Sequence, residues 1–531
     1  MKSRFKNLTA ILFSLLIVFG YIAEAIAQHP VQQELVSPIY GKLMLIGTGE
    51  MSARAGATFA FLAGEKDGKL VIVSKARGRE IGIRPQWQEL LGSISVIQLD
   101  QSNNTLPEAD LAALRAATAV WLADDFSDYS TATQLQNELK SLLRRDGAVG
   151  GQGLAAESMA TLLKNGNGFR DGFNLLPNSI VLSSKEGEEQ FDQMLKRLPG
   201  RVGWEIPPQA AVVIHDSRKI SVIDYPEITL RTAANGEWPE RLAHFGPPIN
   251  ELPYTTDLIS WNRSATARLG EIFPPAVAPV PEVPKGALLI IGGHGDPEGT
   301  WEKVMDFAGG KDAYYVCLSQ SESCPAAEKL RSLGCRNIAI HLVSTGVDGI
   351  GQGRKASLLQ DLEKADAVYF GGGRTYRFMD AYLDTPAQKL MNAVLERGGI
   401  IIGSSAGAQI QGDFLVRGDP RTNDTLWMEG NDRGLGFIRG VIIDAHFRER
   451  GREKNLPSLL IKHPQMLGIG IDETTAIFVQ GTTAEVMGPH AVSFYNLETG
   501  QKRADSSIEV SKPVVLMAGQ KYDLKLRKQI D

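Results

Sequence analysis

The chain has 531 residues, of which 43% are hydrophobic and 22% charged, and its formal net charge is −5. This composition excludes a wholly disordered chain, which combines few apolar residues with a high net charge, and it carries no basic excess typical of nucleic-acid binding. Three cysteines and eight histidines, without a His-Glu-x-x-His pair, exclude a disulfide-rich scaffold and the common zinc modules, so we expect neither a metal nor a cofactor.

The N-terminus is predicted to be a secretory signal peptide that occupies residues 1–27. The basic residues Lys2, Arg4 and Lys6 precede an apolar run at 8–23, and a small-x-small sequence then offers a cleavage site. The run is short for a spanning helix of about 20 residues, and an uncleaved membrane anchor is the alternative. We therefore expect export to the periplasm or the medium, with no stable membrane insertion after cleavage.

Export makes a disulfide permissible among the three cysteines. Cys317 lies in a strand-like apolar run at 313–318, which favours Cys324 with Cys335 as the pair. Three free thiols are the alternative.

The chain repeats one pattern on either side of a Pro-rich segment at 274–284, which is typical of a semi-rigid spacer. Buried-strand runs that end in glycines open both halves, at 40–50 and 285–295. A strand, a helix and a strand then follow in each half, at 117–123, 132–144 and 146–151 in the first and at 365–373, 387–396 and 397–403 in the second. Strands that alternate with helices predict an α/β fold of two tandem doubly wound parallel-sheet domains. One large α/β domain with an unrelated N-terminal extension is the alternative.

The second half contains a candidate nucleophile in Gly403-Ser404-Ser405-Ala406-Gly407. This Gly-x-Ser-x-Gly sequence follows the apolar run 400–402 and precedes a helix-like segment, which is the context of a nucleophile elbow. Ser405 is at the centre of the motif and is the expected attacker, whereas Ser404 is off centre.

A serine nucleophile needs a base, and His446 ends another apolar strand run at 441–445. The carboxyl ends of parallel strands meet at one sheet edge, so we expect His446 beside Ser405, with His294 in reserve. Arg450 and Arg452 follow closely and suit bidentate binding of a carboxylate.

These motifs together resemble the cyanophycinase and dipeptidase E group of serine peptidases, whose fold is like that of the class I glutamine amidotransferases. The resemblance covers about 286–488 and includes the glycines at 371–373, the elbow, Asp444-Ala445-His446-Phe447 and the segment 468–476. It implies that Ser405 is the nucleophile and His446 the general base. It further implies an oxyanion hole from backbone N–H groups of Gly372, Gly373 and Ala406.

The resemblance also implies an acidic residue between the serine and the histidine to orient the imidazole. The position at similar spacing is Asn423, and Asp424 adjoins it. An acid stabilises the imidazolium better than an amide does, so we expect Asp424 first, then Asn423 and Asp419.

The expected substrate is a short peptide or an isoaspartyl-type amide whose free carboxylate binds Arg450 and Arg452. The resemblance adds further pocket residues, namely Arg374, Thr375 and Asp444. Cyanophycinases carry other residues at the positions of Arg374-Thr375, Ala445 and Asn455, so the cyanophycin pocket is altered while the acyl-transfer residues are kept. Cyanophycin itself, ester or thioester hydrolysis, and an inactive exported binding protein are the alternatives.

The first half is expected to be a degenerate amidotransferase-like copy. Gly153 aligns with Ser405, and the run 179–185 aligns with the histidine segment but contains no histidine. The predicted division is a signal peptide at 1–27, the degenerate domain at 28–272, a linker at 273–285, the catalytic domain at 286–490 and a strand-rich tail at 491–531. The sequence leaves the oligomeric state open, with a homodimer among the alternatives.

Overall fold

The computed structural model describes residues 40–75, 84–99, 105–129, 131–166, 168–184, 188–248, 252–497 and 512–531. The predicted signal peptide at 1–27 lies outside the described residues. The chain divides into two compact units, one that ends at Glu271 and one that runs from Ile272 to Asp531. In the parts of the chain described, no helix has the length and apolar character that a bilayer crossing requires.

The first unit contains strands and helices in mixed order. In chain order its elements are β1 Lys42–Ile46, α1 Ala53–Ala63, a 3₁₀ turn Glu65–Asp67, β2 Lys69–Lys75, α2 Pro85–Leu90, β3 Ser93–Leu99, α3 Glu108–Ala116, β4 Ala119–Leu122, α4 Ala132–Arg144, β5 Ala148–Gln152, α5 Leu154–Ser158, β6 Ala160–Asn165, β7 Gly168–Asp171, β8 Leu176–Leu182, α6 Glu188–Lys196, β9 Val202–Glu205, β10 Ala211–His215, β11 Lys219–Asp224, β12 Ile228–Thr232, β13 Arg241–Phe245, β14 Thr256–Asp257 and α7 Leu258–Ala267.

The second unit follows with elements of the same kinds. They are β15 Val283–Ile291, α8 Thr300–Ala308, a 3₁₀ turn Gly310–Asp312, β16 Tyr315–Ser319, α9 Pro325–Ser332, β17 Ile338–Leu342, 3₁₀ turns Gly346–Gly349 and Gln352–Arg354, α10 Ala356–Lys364, β18 Ala367–Phe370, α11 Thr375–Tyr382, α12 Pro386–Glu396, β19 Ile400–Ser404, α13 Ala406–Gln409, β20 Gly412–Phe414, β21 Ile438–Ala445, α14 Asn455–Lys462, β22 Leu467–Ile471, β23 Ala476–Gly481, β24 Thr483–Met487, β25 Val492–Tyr495, β26 Val514–Leu516, β27 Lys521–Asp523 and β28 Lys528–Ile530.

The two units have corresponding strand orders. The larger sheet of the first unit runs β3-β2-β4-β5-β1-β10-β11-β14, and that of the second runs β17-β16-β18-β19-β15-β23-β24-β27-β28. In both, the strands up to β1 or β15 are parallel and the later ones antiparallel. The smaller sheets run β13-β12-β9-β8-β6-β7 and β26-β25-β22-β21-β20. The fold is thus mixed α/β with several sheets.

The prediction of helices and strands is confirmed for the segments on which it rested. Helices α4 and α12 cover the predicted helical stretches, and β4, β5, β18 and β19 lie within or overlap the predicted strand runs. The predicted parallel sheet accounts for part of each unit, because within the described residues each unit also has a second sheet and antiparallel additions to the first. The short strands β23 and β24, joined through Gly481 and Thr482, turn back as a hairpin, which an apolar run alone does not distinguish from a parallel strand.

The central strand β15 is buried on both faces, as expected for a strand inside a parallel sheet. Leu288 and Ile290 belong to one apolar cluster, and Leu289 and Ile291 belong to a cluster on the opposite face. All four side chains are fully buried. This packing makes the end of β15 a rigid platform, because interiors at this density do not deform without cost.

The Pro-rich segment is packed on the second unit. The ring of Phe273 stacks on Phe414 with centroids 6.2 Å apart, and the amide of Gln465 donates to the carbonyl of Pro275 at 2.7 Å. The last residues of the predicted linker 273–285 form the start of β15, which begins at Val283.

The three cysteines are free and buried, so the Cys324–Cys335 disulfide that the sequence favoured is wrong for this structure. The Cys324 thiol and burial together raise the pKa of the Cys317 thiol. The sequence placed Cys317 correctly in a strand but gave no sign that the start of α9 returns to it.

Candidate active site

Ser405 lies at a sharp bend between β19 and α13. Its backbone has φ 57° and ψ −112°, a conformation that non-glycine residues rarely adopt. The bend requires close backbone contacts, since a Cβ on Gly403 would lie 2.0 Å from the carbonyl oxygen of Gly407. A Cβ on Gly407 would lie 2.2 Å from the carbonyl oxygen of Phe370. The two glycines of the motif therefore permit the strained turn that presents the serine hydroxyl.

The hydroxyl of Ser405 contacts His446, and His446 contacts Glu473. Ser405 Oγ is 2.7 Å from His446 Nε2, and His446 Nδ1 is 2.6 Å from Glu473 Oε1. A carboxylate only accepts, so Nδ1 carries the proton and Nε2 is left to accept from the serine hydroxyl. The arrangement is that of a nucleophile, a base and an orienting acid.

Backbone bonds to the end of β15 fix all three side chains. The carbonyl oxygen of Ile291 accepts from the N–H of Ser405 at 3.0 Å, and that of Gly292 accepts from the N–H of His446 at 3.0 Å. The carbonyl oxygen of Gly293 accepts from the N–H of Thr474, next to Glu473, at 2.8 Å. Three successive carbonyls thus join the loops that carry the hydroxyl, the imidazole and the carboxylate.

The electrostatic surroundings keep His446 neutral and Glu473 charged. Burial lowers the pKa of the His446 imidazole, the hydrogen bond to Glu473 raises it, and the positive charges of Arg450 and Arg452 lower it, so it stays below the ordinary value. Burial acts to raise the pKa of the Glu473 carboxyl, but the hydrogen bond from His446 and the positive charge of Arg450 help to leave this pKa lower than usual. A neutral imidazole beside a carboxylate is ready to accept a proton.

The turn 371–373 after β18 lies against the nucleophile. A Cβ on Gly372 would lie 3.6 Å from Ser405 Cβ and 4.0 Å from its Oγ. Ala406 follows Ser405 directly and is the first residue of α13, where backbone N–H groups have no partner within the helix. The predicted oxyanion donors therefore flank the hydroxyl from two sides.

Three of the predicted substrate-binding residues have internal partners. Asp444 is fully buried and accepts from Arg452 Nη1 at 3.0 Å and from Gln409 Nε2 at 3.0 Å. Arg417 lies 3.5 Å from the same carboxylate. Thr375 is buried and donates its hydroxyl to the carbonyl of Arg417 at 2.7 Å. The buried side chains of Asp444, Arg452 and Thr375 are thus bonded within the protein and are not available to a substrate.

Arg374 and Arg450 are more accessible. Arg374 is half-buried and donates from Nη2 to the carbonyl oxygen of Asp419 at 2.7 Å. Arg450 is exposed, and among the described residues its guanidinium makes no ion pair. Of the predicted substrate-binding residues, Arg374 and Arg450 are therefore the two whose side chains are accessible to a ligand.

The expected third residue is wrong in position. Asp424 is exposed and bonds to Thr422, whereas the carbonyl oxygen of Asn423 accepts from Arg417. Asp419 is buried against Arg421. The residue on His446 Nδ1 is Glu473, which follows β22.

The position of Glu473 after a buried strand run indicates its place in the site. The spacing that the family resemblance implied pointed to Asn423 and Asp424 instead. Glu473 comes two residues after the buried strand run 467–471, so it lies at the same sheet edge as His446, which follows the neighbouring parallel strand β21. The reserve histidine, His294, is exposed, and Ser404 is buried at the end of β19. Among the described residues, no group of His, Cys, Asp or Glu side chains is arranged to hold a metal ion.

Comparison with known proteins identifies relatives of this chain. The model of peptidase family S51 matches residues 326–487. A cyanophycinase of Trichormus variabilis is 30% identical over 227 residues, which cover 40% of this chain and 74% of the relative. A cyanophycinase of Geminocystis herdmanii is 27% identical over 244 residues, or 44% of this chain and 88% of the relative. A peptidase E of Pasteurella multocida is 28% identical over 141 residues, or 25% of this chain and 59% of the relative.

Gly293→Ala is expected to lower kcat by about 100-fold or more without unfolding the protein. The new Cβ would lie 2.5 Å from His446 Cε1 and 3.1 Å from Ser405 Cβ, so the two side chains are forced apart. A displacement of about 1 Å costs about 100-fold in rate. Gly299→Ala is the matched control, because Gly299 also has a positive φ but a Cβ there meets nothing within 4 Å. Equal kcat in the two variants, with melting curves to show that both fold, contradicts the prediction.

Glu473→Gln is expected to lower kcat by about 10³- to 10⁴-fold, since an amide no longer fixes the tautomer or stabilises the imidazolium. Asp424→Asn is the matched control and is expected to leave kcat unchanged, because the Asp424 carboxylate bonds to Thr422. The measurement is steady-state kinetics on one peptide substrate. A large loss in Asp424→Asn and none in Glu473→Gln reverses the assignment.

The pH profile is expected to follow the lowered pKa of His446. Activity needs neutral imidazole, so the rate falls as pH drops through a midpoint below about 6.5, the ordinary histidine value. Arg450→Gln removes a charge that lowers this pKa, so the midpoint moves to higher pH. The rate of fluorophosphonate labelling at each pH measures the midpoint without a substrate carboxylate. Arg331→Gln, on an exposed position of α9, is the control, and an equal midpoint in all three proteins refutes the prediction.

Proposed function

This chain belongs to peptidase family S51 and is a serine peptidase, and on that premise we propose that it hydrolyses an amide through an acyl-enzyme on Ser405. The observation that carries the proposal is the pair of contacts from Ser405 Oγ to His446 Nε2 at 2.7 Å and from His446 Nδ1 to Glu473 at 2.6 Å. His446 takes the serine proton as Oγ attacks the carbonyl carbon. It then gives this proton to the leaving amine, and water releases the acyl group by the same steps.

The tetrahedral intermediate needs donors for its negative oxygen. The backbone N–H groups of Gly372, Gly373 and Ala406 are the proposed donors, because the turn and the first helical residue flank Ser405. Backbone donors held in place before reaction stabilise the developing charge without reorganisation.

The proposed substrate is a short peptide or an isoaspartyl-type amide with a free carboxylate. Arg450 supports this choice, because an exposed guanidinium beside the catalytic histidine suits bidentate carboxylate binding. Arg374, which follows the proposed oxyanion turn, is the second proposed contact. Arg452 is not proposed as a direct contact to the substrate, since its guanidinium is already paired with the carboxylate of Asp444.

Cyanophycin is the second candidate substrate, and the similarity to cyanophycinases favours it. Its backbone carries arginine on side-chain carboxyls, and the pocket residues of this chain differ at Arg374, Ala445 and Asn455 from those expected of a cyanophycinase. We therefore rank the shorter amide first. Release of Asp-Arg dipeptide from the polymer is the result that reverses this order.

The first unit is proposed to be a degenerate copy that does not hydrolyse amides. The corresponding strand orders support a common origin, and Gly153 has nearly the same backbone angles as Ser405, with φ 60° and ψ −132°. The residues that carry the chemistry differ. Ser183 and Ser184 follow β8 where His446 follows β21, and Pro208 takes the place of Glu473.

The turn after β4 supports the same conclusion. The N–H of Ala123 donates to the carbonyl of Val73 at 2.9 Å, as Gly371 donates to Leu318 at 3.0 Å, so the two turns correspond. Asp124 and Asp125 then stand where the oxyanion glycines are in the second unit. Among the described residues, the positions that correspond to Ser405, His446 and the oxyanion glycines therefore carry Gly153, Ser183 and Asp124-Asp125, which supply none of the proposed catalytic groups.

Export, cleavage after residue 27, the boundaries of the two predicted domains and a homodimeric state remain predictions. The chemistry proposed at Ser405 does not depend on any of these four predictions.

Ser405 is expected to react with a fluorophosphonate probe and to be essential for turnover. Ser405→Ala is expected to lose labelling and to lower hydrolysis of β-aspartyl dipeptides and cyanophycin by about 10⁴-fold or more. Mass spectrometry of the labelled peptide locates the adduct, and chromatography of the two digests identifies the substrate. Ser404→Ala is the control for a neighbouring hydroxyl. Full turnover in Ser405→Ala, or no adduct on folded wild-type protein, refutes the proposal and favours a binding protein.

A further inference from the structure

We propose that Gln320 is a positioning residue that holds the oxyanion turn 371–373 in its reactive conformation. The inference rests on the proposed function, because it assumes that this turn binds the oxyanion. Gln320 directly follows β16 and contacts neither Ser405 nor His446 in the described contacts.

The side-chain amide of Gln320 binds both backbone groups of Arg374, the residue that directly follows the turn. Its Oε1 accepts from the N–H of Arg374 at 2.9 Å, and its Nε2 donates to the carbonyl oxygen of Arg374 at 2.8 Å. Two bonds to one residue fix both its distance and its rotation. The turn therefore cannot rotate at this end without breaking both bonds.

The other end of the turn is held by the same strand. The N–H of Gly371 donates to the carbonyl oxygen of Leu318 at 3.0 Å. Leu318 therefore holds the start of the turn, and Gln320 holds its end. The amide of Gln320 also packs directly on Gly373, where a Cβ would lie 2.4 Å from its Oε1. Gly372 lies between these anchors, beside the hydroxyl of Ser405.

This restraint has a catalytic use. Glycines have the largest conformational freedom of any residue, so a run of three does not hold a fixed donor direction by itself. A donor contributes fully to catalysis only when it points at the oxyanion before the reaction begins. Gln320 supplies this fixed direction from outside the turn. The guanidinium of Arg374 keeps its own hydrogen bond to the carbonyl oxygen of Asp419, so the loss of Gln320 is expected to affect the transition state and to leave KM unchanged.

These two hydrogen bonds require a side-chain amide, because one acceptor must bind the N–H of Arg374 and one donor must bind its carbonyl oxygen. In Gln320→Glu the ionised carboxylate accepts from the N–H of Arg374 but opposes its carbonyl oxygen. A protonated carboxyl restores both bonds, since its O–H donates and its C=O accepts. The Glu variant is therefore a pH-dependent test of the same geometry.

The test compares Gln320→Ala and Gln320→Glu with wild-type enzyme on one peptide substrate. We expect kcat to fall by about 10- to 100-fold in Gln320→Ala at an unchanged KM, in line with the loss of an oxyanion donor. We also expect the ratio of kcat in Gln320→Glu to that in wild type to rise as pH falls from about 7.5 to about 5, toward the glutamate pKa. A protein stabilised only structurally by Gln320 does not show this rise at a temperature far below melting.

Gln388→Ala is the matched control. Gln388 accepts from the N–H of Asp384 at 2.8 Å and donates to the carbonyl of Leu435 at 3.0 Å, so it makes the same kind of double contact outside the proposed site. Its kcat is expected to equal that of wild type. Wild-type kcat in Gln320→Ala, a rise in KM alone, or a kcat ratio for Gln320→Glu that is independent of pH overturns the inference.

The Ser405→Ala variant separates this failure from that of the proposed function. Loss of turnover in Ser405→Ala with unaffected Gln320 variants refutes only the role of Gln320. Full turnover in Ser405→Ala refutes the nucleophile and the inference with it.

Discussion

The candidate site depends on three successive carbonyl groups at the end of β15. The carbonyls of Ile291, Gly292 and Gly293 accept the N–H groups of Ser405, His446 and Thr474. These donors follow β19, β21 and β22, which belong to both sheets of the second unit. A hydroxyl, an imidazole and a carboxylate from distant parts of the sequence are therefore aligned by the backbone of one strand end.

The frame itself demands residues without side chains. A Cβ on Gly292 would lie 1.9 Å from the carbonyl oxygen of Asp472, and one on Gly293 would collide with the imidazole. The first unit keeps part of this frame, since Gly47 has the same close approach to Pro207 and the carbonyl of Ile46 accepts from Gly153 at 3.0 Å. Backbone geometry and chemistry are thus separable. The frame is present in both units, and in the second it brings together Ser405, His446 and Glu473.

Much of this could be predicted from the sequence, because the strongest signals were local. The apolar run before Ser405 and the glycines around it define a strand, a turn and a helix within a few residues, and His446 ends a similar run. Glu473 was missed because an orienting acid carries no local motif, and its relevance depends on which strands are neighbours. The burial of Asp444 was also not predictable, since the sequence pattern of a carboxylate at a strand end is the same for a buried structural residue and for a substrate contact.

The pairing of Asp444 connects the pocket to the catalytic base. Asp444 lies two residues before His446 in a fully buried strand end, and Arg452 and Arg417 share its carboxylate. A buried ion pair adds little stability in itself, because desolvation offsets the attraction, but it fixes a register. Arg417 also accepts at its carbonyl from Thr375, which adjoins Arg374. The loop after β20, the segment after the turn 371–373 and the strand that precedes His446 are therefore joined by one buried network of hydrogen bonds and ion pairs.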